Sequence, residues 1–310
     1  MPPRLRFKPM TSALRTADDR FAILPGFSYP AQYLEGLRGF EGLRMHYIDA
    51  GNRAAESVFV CLHGQPTWSY LFRRMIPVFE RAGHRVLAPD LFGFGRSDKP
   101  VEETLYTFDF HRDALLAFFE ALDVRNACLV VQDWGGLLGL TLPMALPERI
   151  TRLLVMNTTL GTGDQPLPEG FLAWRDWANK NPDMAVGKLL GRACPQLTQA
   201  ECAGYDAPYP DARYKAGVRR FPNLVPDRSA APGAATSRAA REWLRTRWNG
   251  QSFMAIGMRD PVLGPPVMRA LHGQIRGCPS PMEVPEAGHF VQEWGGSIAT
   301  AALAHFFPAA

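Results

Sequence analysis

The chain has 310 residues, 46% of them hydrophobic and 21% charged, with a formal net charge of +4; this suits a soluble globular protein with one large core, or a core plus an inserted subdomain. Arg and Lys are scattered among acids and no apolar run approaches the roughly 20 residues of a membrane helix, which excludes a nucleic-acid-binding face, a polybasic membrane patch and a membrane span. The pairs Arg73-Arg74 and Arg219-Arg220 read as solvated faces.

In chain order, Met1 to Lys8 is basic but no apolar segment follows it, so a secretory leader is not expected. Residues 1–40, rich in Pro, Gly and Arg, read as an irregular arm. Leu43 to Ile48 alternates apolar and polar residues, the pattern of an outer strand, before a turn at Ala50-Gly51-Asn52. Val58 to Leu62 is a buried strand that ends in His63-Gly64-Gln65-Pro66, and Tyr70 to Ala82 is helix-like. Val86 to Leu91 is the next strand, followed by the turn-rich Phe92 to Pro100 and a helix over Phe108 to Leu122. Ala127 to Val131 is a strand; it stops at Gln132-Asp133, and Trp134-Gly135-Gly136 opens a helix-compatible segment, Leu137 to Met144. Arg152 to Asn157 is another strand. Strands alternating with helices imply a parallel sheet covered on both faces.

The rhythm breaks at Gly161. Residues 161–228 carry no buried strand, and Trp174, Trp177, Leu189, Leu190 and Leu197 lie on short helical segments punctuated by proline. This stretch reads as an inserted helical cap, between core segments 1–160 and 229–310; long surface helices without a substrate role would give the same pattern. Order resumes with a helix around Arg238 to Arg247, strands at Ser252 to Gly257 and Met282 to Val284, and a closing helix through His305. Cys61, Cys128, Cys194, Cys202 and Cys278 are odd in number and lack short paired spacing. They read as reduced thiols of a cytoplasmic protein, neither disulfide partners nor metal ligands.

Strand, tight turn and helix with a reactive side chain at the apex is the plan of a nucleophile elbow, here with Asp133 in place of serine and Val131 in place of the first glycine. An ordinary Asp-containing turn fits Leu129 to Gly136 equally well. The joint pattern separates the two. A nucleophile follows a middle strand, an acid (Asp260) a late strand, and a histidine (His289) the last strand, which is the order of an α/β-hydrolase fold. His63-Gly64-Gln65-Pro66 follows an earlier strand, where that fold places part of its oxyanion hole, so the backbone N–H groups of Gln65 and Trp134 are expected to converge on one oxygen. His63 reads as a structural turn residue, and Asn157 cannot serve as an anionic member.

An aspartate nucleophile decides the reaction class. A carboxylate is ionised at neutral pH without help from a base, and it displaces leaving groups from saturated carbon to give an alkyl ester. His289, oriented by Asp260, would then deprotonate a water that attacks the ester at the Asp133 carboxyl carbon. A halide leaving group wants N–H donors and no proton transfer, and the indoles of Trp134 and Trp174 would supply two.

Phe59 to Phe79, Pro89 to Pro100, Val130 to Met144, Gly170 to Trp174, Ala207 to Pro222, Trp248 to Gly264 and Ala287 to Glu293 resemble haloalkane dehalogenases, in particular the subfamily typified by the 1,2-dichloroethane-degrading enzyme of Xanthobacter. The resemblance covers nearly the whole chain from about residue 14, cap included. It implies Asp133 as nucleophile, Asp260 as acid, His289 as base, Trp134 with Trp174 as the halide pair, and Phe171 lining the halide site. Gln65 matches a position where that enzyme carries Glu and other subfamilies carry Asn, and which helps to position the hydrolytic water. The segment between Thr159 and Glu169 is shorter than in that enzyme. The partners implied are a small halogenated alkane, water and the halide product, with no metal or other cofactor, in a monomer. Two alternatives remain: an epoxide hydrolase, for which Tyr205, Tyr209 and Tyr214 would be the donors, and a catalytically silent ligand-binding protein on the same fold.

Overall fold

The computed structural model describes residues 12–308. Its strands are β1 (Ala13–Leu14), β2 (Gln32–Glu35), β3 (Arg44–Gly51), β4 (Val58–Leu62), β5 (Arg85–Pro89), β6 (Lys99–Pro100), β7 (Ala127–Val131), β8 (Ile150–Met156), β9 (Gln251–Gly257) and β10 (Met282–Val284). Eight of these form one sheet in the order β10-β9-β8-β7-β4-β5-β3-β2, while β1 and β6 pair separately. The run from β10 to β5 is parallel, and β3 and β2 join antiparallel. Every residue of β4 and β7 is buried, because helices cover both faces and leave neither one to alternate with solvent. Cys61 and Cys128 are part of that filling, and both are free thiols.

The helices are α1 (Ile76–Arg81), α2 (Phe108–Ala121), α3 (Trp134–Gly139), α4 (Leu142–Ala145), α5 (Glu169–Lys180), α6 (Val186–Ala193), α7 (Gln199–Asp206), α8 (Ala216–Arg220), α9 (Ala234–Thr246), α10 (Pro265–His272) and α11 (Gly295–Phe306). Thr107 starts α2 by accepting a hydrogen bond from the Phe110 N–H, and Thr198 with Glu201 forms a capping box on α7. The segment expected to be helical from Leu137 to Met144 is two helices, broken at Leu140-Thr141. Pro143 lies in the first turn of the second one, where its missing N–H costs nothing. Likewise Tyr70 to Ala82 is a 3-10 turn at Ser69–Phe72 followed by the short α1, which Pro77 opens.

Two expectations need correction, and one helix was not expected at all. The arm is not wholly irregular: Gln32–Glu35 adds the edge strand β2, paired with β3, so β3 is one strand in from the edge; residues 1–11 lie outside the described residues. α10 was hidden by the Pro265-Pro266 pair that begins it. Arg73 is not on a solvated face. Its side chain is 2% exposed, with paired hydrogen bonds of 2.7 Å to Glu293 and one of 3.0 Å to Glu201.

The topology places the site. The connection from β4 leads outward to β5, whereas β7 lies on the other side of β4, so the chain reverses direction between β4 and β7. Ligands collect at the carboxyl ends of strands at such a switch point. Leu62 pairs with Val131, which sets Gly64-Gln65 beside Asp133.

Candidate active site

Asp133 sits at the apex between β7 and α3 with φ 50° and ψ −126°. This is a left-handed backbone that a non-glycine residue holds at a cost of about 1–3 kcal/mol, and such strain concentrates at reactive positions. Its surroundings hold the turn in place. The Asp133 N–H donates to the Asn157 carbonyl at 3.0 Å, and the Thr158 hydroxyl donates to the Asp133 carbonyl at 2.7 Å. Two glycines let the segments close: a Cβ on Gly64 would lie 2.2 Å from Asp133 Oδ1, and one on Gly135 would lie 1.9 Å from the Leu62 carbonyl oxygen.

The Gln65 N–H donates to Asp133 Oδ1 at 2.8 Å. Trp134 is the first residue of α3, so its N–H has no acceptor within the helix. On the other side His289 Nε2 stands 3.5 Å from Asp133 Oδ2, and His289 Nδ1 lies 2.9 Å from Asp260 Oδ2. Asp260 is fixed in turn by the Val262 N–H on Oδ1 at 2.8 Å and the Asn157 amide on Oδ2 at 2.9 Å. Burial works against the charge of Asp260, but His289 and these donors outweigh it and hold the carboxyl below the usual carboxylate range. For His289 burial pulls downward, yet the neighbouring Asp260 and then Asp133 raise the imidazole to about 10. The two carboxylates therefore favour the imidazolium form of the ring.

These groups line a cavity of about 400 Å³. Gln65, Asp133, Trp134 and His289 come from the sheet side, and Phe171 and Trp174 reach the same cavity from α5. The rest of the wall is mainly apolar, including Leu137, Leu189, Val225 and Leu263. Trp134 is buried edge-on against Phe221, and Trp174 stacks on Trp177 at 5.4 Å between ring centroids. Every residue singled out from the sequence, Asp133, Asp260, His289, Gln65, Trp134, Trp174 and Phe171, is thus in or directly behind one cavity.

The expected structural role of His63 is what the contacts give: its Nε2 accepts from the Leu91 N–H at 2.9 Å and its Nδ1 faces the Gly64 carbonyl. The Gln65 side chain donates to the Val218 carbonyl at 3.0 Å. Tyr205, Tyr209 and Tyr214 do not line the cavity. Tyr205 donates to Glu293 and Tyr209 to the Pro66 carbonyl. Two residues were missed. Asn157 was considered only as an acid, whereas it orients one. Gln132 went unnoticed because its partner, His289, is 157 residues away in the chain. Among the described residues no group of three or more His, Cys, Asp or Glu is placed to hold a metal ion.

The family model described as alpha/beta hydrolase fold matches residues 57–296. A haloalkane dehalogenase of Psychrobacter cryohalolentis is 40% identical over 299 residues, covering 94% of this chain and 97% of that one. One of Mycolicibacterium paratuberculosis is 41% identical over 285 residues, covering 90% and 93%. Among solved structures, the haloalkane dehalogenase DpaA from Paraglaciecola agarilytica, described as tetrameric, superposes with a TM-score of 0.94 at 49% identity, over 96% of this chain and all of that one. At these identities, and with each relative matched over nearly its whole length, the chain belongs to the haloalkane dehalogenases of the alpha/beta hydrolase fold.

Proposed function

We propose that Asp133 is the nucleophile of a hydrolysis that converts a haloalkane and water to a primary alcohol, a halide ion and a proton through an alkyl ester on its side chain. The observation that carries this reading is the division of labour at the carboxylate. Oδ1 is held by the Gln65 N–H at 2.8 Å, and Oδ2 faces His289 Nε2 at 3.5 Å. Oδ2 attacks the halogen-bearing carbon; the new carbon–oxygen bond forms as the carbon–halogen bond breaks, and the halide leaves with the electron pair. The indole N–H groups of Trp134 and Trp174 stabilise that anion, with Phe171 closing the wall.

Ester formation removes the charge of Asp133, one of the groups holding His289 protonated. The imidazole then releases its proton and becomes a base, kept in orientation by Asp260. It takes a proton from a water that attacks the ester carboxyl carbon. The negative charge develops on Oδ1, which the Gln65 N–H already reaches at 2.8 Å, and the Trp134 N–H, free of any acceptor within its helix, is the second donor of the proposed oxyanion hole. Collapse releases the alcohol through Oδ2 and leaves the water oxygen in the carboxylate. With the Gln65 amide nitrogen committed to Val218, its Oε1 is the group that accepts from the hydrolytic water.

Residues 161–228 act as a cap over core segments 1–160 and 229–310, a division supported by the all-helical content of α5 to α8 and by a cavity lined from both sides. The engagement of Tyr205 and Tyr209 elsewhere weighs against epoxide opening, and the intact contact chain weighs against a silent binder. Bromide release from 1,2-dibromoethane, with styrene oxide untouched, is the expected result; the reverse preference overturns the reading. His289→Ala is expected to accumulate an enzyme adduct with the mass of the alkyl group, and an unmodified, fully active variant removes His289 from the reaction.

The five free cysteines support a reduced compartment, and hence the cytoplasm; no helix among the described residues is long and apolar enough to cross a membrane. The sequence-based expectation is a monomer, while the Paraglaciecola relative is described as tetrameric. Sedimentation equilibrium decides between one chain mass and four.

A further inference from the structure

Gln132 directly precedes the nucleophile, at the carboxyl end of β7, and is fully buried. Its amide nitrogen lies 3.0 Å from the carbonyl oxygen of His289 and 3.0 Å from His289 Nε2. Its Oε1 accepts from Gln292 Nε2 at 3.3 Å. These contacts fix which way the amide points. A carbonyl oxygen only accepts, so the NH2 end faces His289, and the Gln292 donor takes the other end.

We propose that Gln132 is a positioning residue for ester hydrolysis, one that holds the His289 ring through its carbonyl and favours the imidazole with an unprotonated Nε2. This rests on the base role proposed above. When Nε2 carries a proton it presents a donor to an NH2 donor; when it is bare its single lone pair accepts from that NH2 until the hydrolytic water displaces the amide and takes its place. A hydrogen bond to the neutral form disfavours the charged one. The groups that face the ring divide accordingly. Asp260 and Asp133 favour the imidazolium, while Gln132 opposes it; Arg192 and Arg259 are the other charged residues lining the same cavity. In the free enzyme the two carboxylates win. Once Asp133 is an ester only Asp260 is left on that side, and Gln132 helps to turn the imidazolium of the resting enzyme into the base of the second step. After water has given up its proton, the same donor-on-donor conflict drives the proton from Nε2 to the departing alkoxide.

The test is rapid-quench single turnover with 1,2-dibromoethane across pH, separating alkylation from hydrolysis. Gln132→Leu is expected to move the acid limb of the hydrolysis profile upward by about one pH unit. It is also expected to slow hydrolysis at neutral pH by about tenfold, so that the alkyl ester accumulates, with alkylation changed by less than about twofold. Gln132→Glu, which places a carboxylate against Nε2, moves the limb further in the same direction. Should the leucine variant fail to fold, the glutamate variant and Gln132→Asn carry the test. A folded variant whose hydrolysis profile overlays the wild type, or one that loses both steps together with no movement of the limb, overturns the proposal. His289→Ala run in parallel separates the two levels. If it traps no ester, the base reading fails and this inference fails with it; if it traps the ester while Gln132 variants behave as wild type, only this inference fails.

Discussion

Gln65 and Asp133, 68 residues apart in the chain, are joined by a 2.8 Å hydrogen bond from a backbone N–H to a carboxylate oxygen. The bond exists because β4 and β7 are neighbours in register and because Gly64 leaves room for the aspartate. In the proposed reaction this donor is already placed where the oxyanion would form, so it needs no reorganisation.

That closeness makes Gly64 a sensitive position. A methyl group at residue 64 would sit 2.2 Å from Oδ1, so Gly64→Ala has to push the nucleophile off its line of attack. Single-turnover alkylation is expected to fall by about 100-fold. An alkylation rate within twofold of wild type shows that the contact does not constrain the carboxylate.

The pH dependence follows from the direction of the His289 shift. Asp260 and Asp133 hold the free-enzyme imidazole up at about 10 against the pull of burial. Hydrolysis needs the neutral ring, so its rate rises with pH and levels above the ring's value in the ester state. That value lies below the free-enzyme one because Asp133 is then uncharged. Asp260→Asn removes the largest upward influence and moves the limb to lower pH, while the plateau drops by about a thousandfold through lost orientation. Rapid-quench hydrolysis rates over pH check both signs, and a limb that rises in the asparagine variant contradicts the assignment.

Trp174 is tested through halide affinity. Trp174→Phe keeps an aromatic wall and removes one N–H donor, so bromide binding is expected to weaken by about tenfold. Bromide quenching of the remaining tryptophan fluorescence reads this directly, and an unchanged curve excludes the indole from halide stabilisation.

Much of this arrangement was legible in the chain because its signals are local. Ala127–Val131 is continuously apolar, the turn residues follow at once, and acid and histidine end later strands in the expected order. What stayed hidden depends on packing between distant segments. Nothing near Arg73 in sequence announces Glu293, 220 residues on, and nothing near Gln132 announces His289. The edge strand β2 was missed because its residues are only half buried, which leaves no clear apolar pattern to read.

Stability away from the site has its own test at Asp90, which is fully buried. It receives the Ser69 and Arg96 N–H groups at 2.8 Å and lies 2.7 Å from His46 Nδ1. Burial opposes its charge, but His46 and these donors lower the carboxyl to about 2. The folded value is below the unfolded one, so this contribution is present at neutral pH and is lost as pH falls from about 4 through about 2. Asp90→Asn is expected to cost roughly 3 kcal/mol in urea unfolding at neutral pH. The gap from wild type should narrow near pH ~3; a gap that is constant with pH contradicts the ionic reading.

The most direct measurement is a single turnover in heavy-oxygen water, followed by mass analysis of the alcohol and of the peptide that contains Asp133. Attack of water on the ester carboxyl carbon predicts one heavy oxygen in the Asp133 carboxylate and an unlabelled alcohol, whose oxygen came from the protein. Label in the alcohol with an unlabelled Asp133 would mean that water itself displaced the halide, and the covalent account would be wrong.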